Sequence, residues 1–386
     1  MIEIKNPADC CGCTACVSIC THGAITMFPD ALGFLYPVVD NSKCIDCGLC
    51  EKVCSFNEHY DCSLNLSEPD VYGARHKDMK EIETSRSGAA FIAISDRILE
   101  CGGVVYGVGY TDHFRVVHKR AVTKQERNEF KGSKYVQSDL GDVFKQVRRD
   151  LKDGLTVLFS GTPCQTAGLK AYIGEQLCQN LFLLDIVCHG VPAPYVWHDY
   201  LAYLEEKQGD KINFVDFRDK QTFGWMAHKE TFRFAGNKHF SVINVKESFT
   251  FLFYQHIMFR ASCGICYFCN TKRPSDITLA DFWGWEKTNP DFNADNKGAS
   301  LILVNTDKGR KLFKKAEIDL NIIPAQLENC LQPNLQHPSI IHPKRLQFEK
   351  DYIKKGFSYI MKKYGKQGWK MRVKQMAIRL LRIYSK

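Results

Sequence analysis

No stretch of this 386-residue chain reaches the ~18 continuous apolar residues that a membrane-spanning helix needs. Met1 to Asp9 carry no apolar region of the kind a secretory signal peptide requires. A nicotinamide route is disfavoured as well, because Gly107-Val108-Gly109 lacks the third glycine of the dinucleotide fingerprint. Nor is there a basic surface of the nucleic-acid type. The formal charge is +9, but from Asp351 onward eleven Lys/Arg face that single acid, a local +10 that leaves the body near −1. Disorder is excluded by 45% hydrophobic and 12% aromatic residues, enough to bury a sizeable core. At this length two or three domains are expected.

Cysteine is abundant, with eighteen residues. In a chain of this size with no leader-like segment they point to metal ligands and a cytoplasmic setting rather than to disulfides. Twelve of them carry the argument. Cys10, Cys13, Cys16 and Cys20 repeat the C-x-x-C-x-x-C-x-x-x-C spacing of Cys44, Cys47, Cys50 and Cys54. That is the bacterial ferredoxin spacing for a [4Fe-4S] cluster, in which the fourth thiolate ligates the cluster of the other half. Cys10, Cys13, Cys16 and Cys54 therefore go to one cluster, and Cys44, Cys47, Cys50 and Cys20 to the other. A pair of zinc sites would leave the third cysteine of each triplet and the distant fourth without a role. Thr21 and Ser55 stand where proline usually follows such runs, and Cys11 and Cys62 are read as spare thiols.

Between the two runs, residues 23–27 and 33–39 read as short strands around an Asp30-Ala31-Leu32 turn, completing an α+β ferredoxin module of two-cluster type over 1–58. Polar residues from His59 to Pro69 read as a linker. Mixed α/β regions are expected beyond it, over 70–154 and 155–330, and a basic helical tail over 340–386. Residues 71–74 suggest a strand and 89–99 a helix, while 104–110 and 114–122 suggest a hairpin across Asp112-His113. The loop Gly132 to Ser138 opens toward a helix at 143–151. It could present a lysine and backbone N–H groups to a phosphate, or simply cap that helix.

Strand 155–159, the turn at Gly161 to Gln165, and helix 166–173 are followed by strand 181–187, the loop at Cys188 to Pro192, and helix 194–207. This is a βαβ arrangement with parallel, adjacent strands. Cys164 and Cys188 then emerge at the carboxyl edge of the sheet, where ligands bind in open α/β folds. Cys263, Cys266 and Cys269 follow the apolar run Phe249 to Phe259. A third [4Fe-4S] cluster on Cys164, Cys188, Cys263 and Cys266 is one reading; a zinc on the later group, or buried structural cysteines, are the others.

At this point four segments resemble a known family: Gly132-Ser133-Lys134-Tyr135, Gly161-Thr162-Pro163-Cys164-Gln165, Cys188-His189-Gly190-Val191-Pro192, and Asp276 to Gly284. They look like signatures of the beta subunits of coenzyme F420 (deazaflavin) reducing hydrogenases and dehydrogenases; plant 7-hydroxymethyl chlorophyll a reductase is similar. The match covers roughly residues 70 to 300. The resemblance implies an oxidoreductase with FAD beside a [4Fe-4S] cluster held by Cys164, Cys188, Cys263 and Cys266, with no thiol required at Cys269. It also implies flavin-site candidates at Ser87 and Gly88 and at Ser133, Lys134, Tyr135, Gln137 and Ser138. Arg86-Ser87-Gly88-Ala89 stands where the family has Ser-Ser-Gly-Gly, and Ala280 where it has glycine.

The expected role is electron passage from a ferredoxin-like donor or partner subunit, through three clusters and FAD, to a small organic acceptor or deazaflavin. The alternative is a non-catalytic electron-transfer subunit, linked in some bacterial relatives to cell-surface polysaccharide genes. No catalytic acid stands out, and His189 and Asp281 read as structural hydrogen-bonding groups. From Gly368 the spacing of Trp369, Val373, Met376, Leu380 and Tyr384 predicts a basic amphipathic helix. It suits either packing on its own domain or peripheral contact with anionic lipid.

Overall fold

The structure, a computed structural model, describes residues 1–236, 239–241 and 248–365. The amphipathic helix expected from Gly368 lies outside the described residues.

The N-terminal module carries one hairpin, β1 (Ile25–Pro29) paired antiparallel with β2 (Leu35–Val39), both beginning two residues later than expected. Asp30 makes the turn, its Oδ1 accepting from the N–H groups of Leu32 and Phe34 at 2.9 Å each. An Asx turn of this kind frees the two apolar side chains to point away from the module. Leu32 and Phe34 are fully buried, in a cluster with Ala193, Val196, Trp197 and Phe259 of the body. Gly33, at φ +86°, is needed there, since a Cβ would stand 2.7 Å from the Tyr195 ring. The module is thus wedged into the protein by its own turn.

The body is built on one eight-stranded sheet. Its strands are β3 (Asn65–His76), β4 (Val104–Tyr110), β5 (Val116–Ala121), β6 (Val157–Gly161), β7 (Leu181–Ile186), and, beyond a separate small sheet, β11 (Ile277–Asp281), β12 (Ser300–Thr306) and β13 (Leu320–Pro324). The small sheet holds β8 (Ile212–Asp216), β9 (Thr231–Phe234) and β10 (His239–Ser241) in the order β10-β9-β8. The large sheet runs β13-β3-β12-β11-β7-β6-β4-β5. Its centre, β4, β6, β7 and β11, is parallel, and the outer strands pair antiparallel. The βαβ expectation for β6 and β7 matches this pairing.

Side-chain alternation decides the layers. Val104, Tyr106, Val157, Phe159, Leu181 and Leu183 face helices Val143–Lys152 and Pro163–Ile173. Val105, Leu158 and Leu184 face helices Ala90–Glu100 and Asp307–Ala316 on the other side. Both faces are covered, which is why these strands read as continuous apolar runs.

One expectation is corrected. Asn65 to Pro69 belong to β3 rather than to a linker, and Pro69 falls in the register irregularity opposite Val304 to Thr306, where a missing N–H is tolerated. The fold runs across residue 154 without a break, because β4 and β6 are hydrogen-bonded neighbours in one sheet. The apolar run Phe249 to Phe259 is helical only over Phe249–Tyr254. Helix Arg345–Lys363, broken at Gly356, buries Phe348, Phe357, Ile360 and Met361 in the same core cluster as helix Pro194–Gln208, so the described part of the basic segment is packed on the body. Among the described residues no helix is long and apolar enough to cross a membrane.

Candidate functional site

The two cysteine runs share a backbone device. Two residues after the first cysteine of each run, Gly12 (φ +74°) and Asp46 (φ +53°) are left-handed; two residues further on, so are Thr14 (φ +65°) and Gly48 (φ +73°). Each pair of reversals winds the loop tightly, and in the first run it turns an N–H toward sulfur, Gly12 N–H to Cys10 Sγ at 3.4 Å. Thr14 has no glycine's freedom, so this conformation costs strain, which the winding must offset. Cys54 lies beside Cys10 and Cys13, whose charges raise its thiol after burial does, and Cys16 feels the same neighbours. Cys13, Cys16 and Cys50 are buried, Cys10, Cys20 and Cys44 are half-buried, and Cys47 is exposed. The second run therefore forms the outer end of the module.

The first run sits on the large sheet. Gly168, inside helix Pro163–Ile173, makes the contact: a Cβ there would stand 2.7 Å from Cys13 Sγ. Beside it, at the carboxyl edge of the sheet, lies a cavity lined by Cys164, Cys188, Cys263, Cys266 and Cys269 together with His189, Arg260 and Arg273. Cys164 comes from the turn after β6, where a Thr162–Gln165 capping box starts the helix. Cys188 comes from the loop after β7. Cys263 and Cys266 come from the loop opened by Arg260. Backbone donors address these sulfurs, Gly190 N–H to Cys188 and Val191 N–H to Cys263, both at 3.4 Å. The thiols are not equivalent. Hydrogen bonding from Cys11, and from Thr162 at 3.1 Å, pulls Cys164 down to about 7, whereas burial pushes Cys263 up to about 12.

Among the described residues no three His, Cys, Asp or Glu side chains converge on a point as the ligands of a single metal ion would. A cubane asks for something else, four thiolates each on its own iron. Four thiols from three segments around one buried space, with N–H groups aimed at sulfur, fit that demand.

Sequence reasoning missed Cys11. It is buried and lines the same cavity, its thiol against both Cys13 and Cys164. The Cys-Cys doublet was the available signal, because neighbouring residues in an extended loop point opposite ways. Cys10 faces into the module and Cys11 faces the sheet.

The expected flavin residues are held mainly by protein partners. Ser87 Oγ donates to the Ala299 carbonyl, and Gly88 N–H to Ser300 Oγ at 3.0 Å. Lys134, expected to reach a phosphate, donates its Nζ to the carbonyls of Glu129 and Lys131 at 2.8 Å, closing its own turn. Burial lowers it to about 7, so its charge is already weakened. Gln137 donates to the Cys11 carbonyl and accepts from Arg260, each at 3.0 Å. Ser138 joins His118 to Gln165 at 3.0 Å each, bracing the Cys164 turn from behind. Ser133 is half-buried in the same loop. Tyr135 turns the other way, onto Phe253 with ring centroids 4.7 Å apart and toward Arg218 at 3.5 Å.

There it joins a group in which Asp281 and Trp283 of the Asp276 to Gly284 segment and Arg86 meet Arg218, Trp225 and His228, which no sequence motif marked. Arg218 donates to Asp281 at 2.7 Å and to His228 at 2.9 Å, Arg86 lies 3.5 Å from Asp281, and Trp283 stacks on Trp225 at 4.5 Å. Asp281 also accepts from Trp225 Nε1 at 3.2 Å; burial alone would raise its pKa, but Arg86 and Arg218 outweigh it and hold the carboxyl below its ordinary value. His189 Nε2 meets His256 Nε2 at 2.7 Å. His189 and Asp281 thus each have a hydrogen-bond partner within the protein.

Residues 154–328 match the family described as the C terminus of the coenzyme F420 hydrogenase/dehydrogenase beta subunit, and residues 9–57 match the 4Fe-4S dicluster domain. The chain thus carries a region related to the F420 hydrogenase/dehydrogenase beta subunit, with a ferredoxin-type domain in front of it. No curated protein matches it. Among solved structures, the F420-reducing [NiFe] hydrogenase complex from Methanosarcina barkeri aligns at 17% identity and TM-score 0.47, over 77% of this chain and 91% of that one.

The F420 hydrogenase/dehydrogenase match contains Cys164, Cys188, Cys263 and Cys266, and the dicluster match contains all eight N-terminal ligand candidates and Cys11. Ser87 to Ser138 lie between the two matched spans. The chain is an iron–sulfur electron-transfer protein related to that beta subunit.

Proposed function

We propose that this protein is an iron–sulfur flavoprotein oxidoreductase that carries electrons from a ferredoxin-like donor, or a partner subunit, to a small organic acceptor or deazaflavin. Its N-terminal clusters use Cys10, Cys13, Cys16 and Cys54, and Cys44, Cys47, Cys50 and Cys20. A central [4Fe-4S] site uses Cys164, Cys188, Cys263 and Cys266. The observation that carries this reading is the shared cavity: Cys11, between two ligands of the first run, lies against Cys164. The inner N-terminal site and the central site are therefore neighbours, and the exposed Cys47 end faces outward to receive electrons.

Beyond the cavity, rings continue from His189 through Phe253 (5.3 Å) to Tyr135 (4.7 Å). FAD is proposed to lie where Tyr135, Trp283, His228 and Arg218 meet. When bound it exchanges electrons singly with clusters and in pairs with an organic acceptor. The chain's own residues give that place aromatic walls and a guanidinium pair, Arg86 and Arg218, only half neutralised by Asp281.

The test is anaerobic reconstitution of the full chain. About twelve irons are expected, four per cubane, falling to about eight in Cys188→Ser with the N-terminal signals kept. Flavin-dependent reduction of a low-molecular-weight acceptor is expected of the wild type. Eight irons in the wild type would remove the central site, and turnover unaffected by flavin would remove FAD.

A further inference from the structure

Two arginines line the thiol cavity, and both are fully buried. Arg273 has a conventional partner, Asp185 at 3.1 Å, itself fully buried. Arg260 forms no ion pair with a carboxylate among the described residues. Its Nε donates to the Cys10 carbonyl at 2.7 Å, Nη1 to Gln137 Oε1 at 3.0 Å and Nη2 to the Leu35 carbonyl at 2.9 Å. Its guanidinium lies 4.1 Å from the centre of the Tyr36 ring and 5.5 Å from that of Phe34. Nη2 also approaches Cys10 Sγ at 3.6 Å.

An unpaired charge so deeply buried is destabilising by several kcal/mol unless something of opposite sign stands close. Neutral carbonyls and ring faces stabilise it only in part. What surrounds Arg260 in place of carboxylates is sulfur: Cys10 on one side, and on the other the cavity of Cys164, Cys263 and Cys266. Close approach is enforced at Gly12, where a Cβ would stand 2.9 Å from Arg260 Nη1.

We propose that Arg260 is the shared counter-cation and positioning residue of two neighbouring iron–sulfur sites, that of Cys10, Cys13, Cys16 and Cys54 and the central one. Thiolate-ligated cubanes are net negative, and each added electron makes them more so. A fixed positive charge between the two sites favours the reduced form of both and holds their potentials up. Because the same guanidinium binds Cys10, Leu35 and Gln137, it also sets the distance between the sites. The half of this proposal that concerns the central site rests on the reading above. The N-terminal half does not.

The experiment is a redox titration followed by electron paramagnetic resonance on full-length, anaerobically reconstituted protein. Arg260→Gln should shift the inner N-terminal cluster and the central cluster to more negative potential and leave the outer cluster of Cys44, Cys47 and Cys50 in place. Arg260→Lys, which keeps the charge and loses the fork, should restore most of the shift. Gln137→Glu, nearly isosteric, adds a negative charge against Nη1 and should move the same two clusters in the same direction. If Arg260→Gln fails to hold iron, Gln137→Glu decides. Full iron and unchanged potentials in Gln137→Glu, or in Arg260→Gln, overturn the proposal. A protein with eight irons and a shifted inner cluster supports the role of Arg260 while removing the central site, so the two failures are distinguishable.

Discussion

Phe34→Ala tests whether the ferredoxin module is part of the protein's architecture or a tethered appendage. Phe34 is fully buried, although it belongs to the module's own hairpin turn, and most of what covers it comes from the body. Removing a buried phenyl ring costs about 3–5 kcal/mol, transfer and cavity together. The module also has its clusters to organise it, so the loss should fall mainly on docking rather than on the module's own fold. At about 1.4 kcal/mol per decade, the docked-to-undocked ratio should drop between about one hundred- and several thousand-fold. The assay is amide hydrogen exchange, with limited proteolysis across residues 57–64, on protein whose iron content is measured in parallel. Expected are full N-terminal iron, faster exchange in helix Pro163–Ile173, and cleavage at that segment. If iron is retained and neither exchange nor cleavage rises, the wedge does not hold the module and the reasoning is refuted.

Gly168→Ala should loosen the same interface from the other side, because its Cβ would overlap Cys13 Sγ at 2.7 Å; a loss of about 1–3 kcal/mol in thermal or urea unfolding is expected, and none would mean the helix shifts freely. Lys134→Met should cost about 1–3 kcal/mol of stability by leaving two carbonyls of its turn without a donor, with FAD affinity changed less than about twofold. A flavin titration weakened tenfold at unchanged stability would instead put the lysine on the cofactor. His118 is stacked on Phe159 and buried, and burial lowers it to about 4 from 6.5. The unfolded chain therefore takes up the proton first as pH falls, and the stability contributed by the neutral ring is lost between about pH 6.5 and 4 at up to about 1.4 kcal/mol per unit. Urea unfolding at about pH 7 and about pH 5.5 should show a loss in the wild type that is smaller in His118→Gln, the remainder belonging to other buried histidines such as His189 and His228; an equal loss in both proteins would place the acid sensitivity elsewhere.

What the chain alone determined is chiefly local. Cysteine spacing determines which thiols can wrap one cubane, since three residues per step leave the backbone little choice, and the structure repeats the same left-handed positions in both runs. The apolar runs of β6 and β7, separated by a turn and a helix, determined a parallel pair with Cys164 and Cys188 at its edge. Tertiary structure decided whatever depends on which surface comes to lie against which. Cys11 became a cavity residue only because the module docks by its first run. The turn that the Lys134 amine closes was not legible either, because a loop sequence does not reveal that its own carbonyls lie within reach of the amine. Arg86 and Arg218 converge on Asp281 from positions 195 and 63 residues away. Arg260 reads as one more basic residue ahead of a cysteine motif, and its meaning comes from burial without a carboxylate, because an unpaired charge is costly only where water cannot reach it.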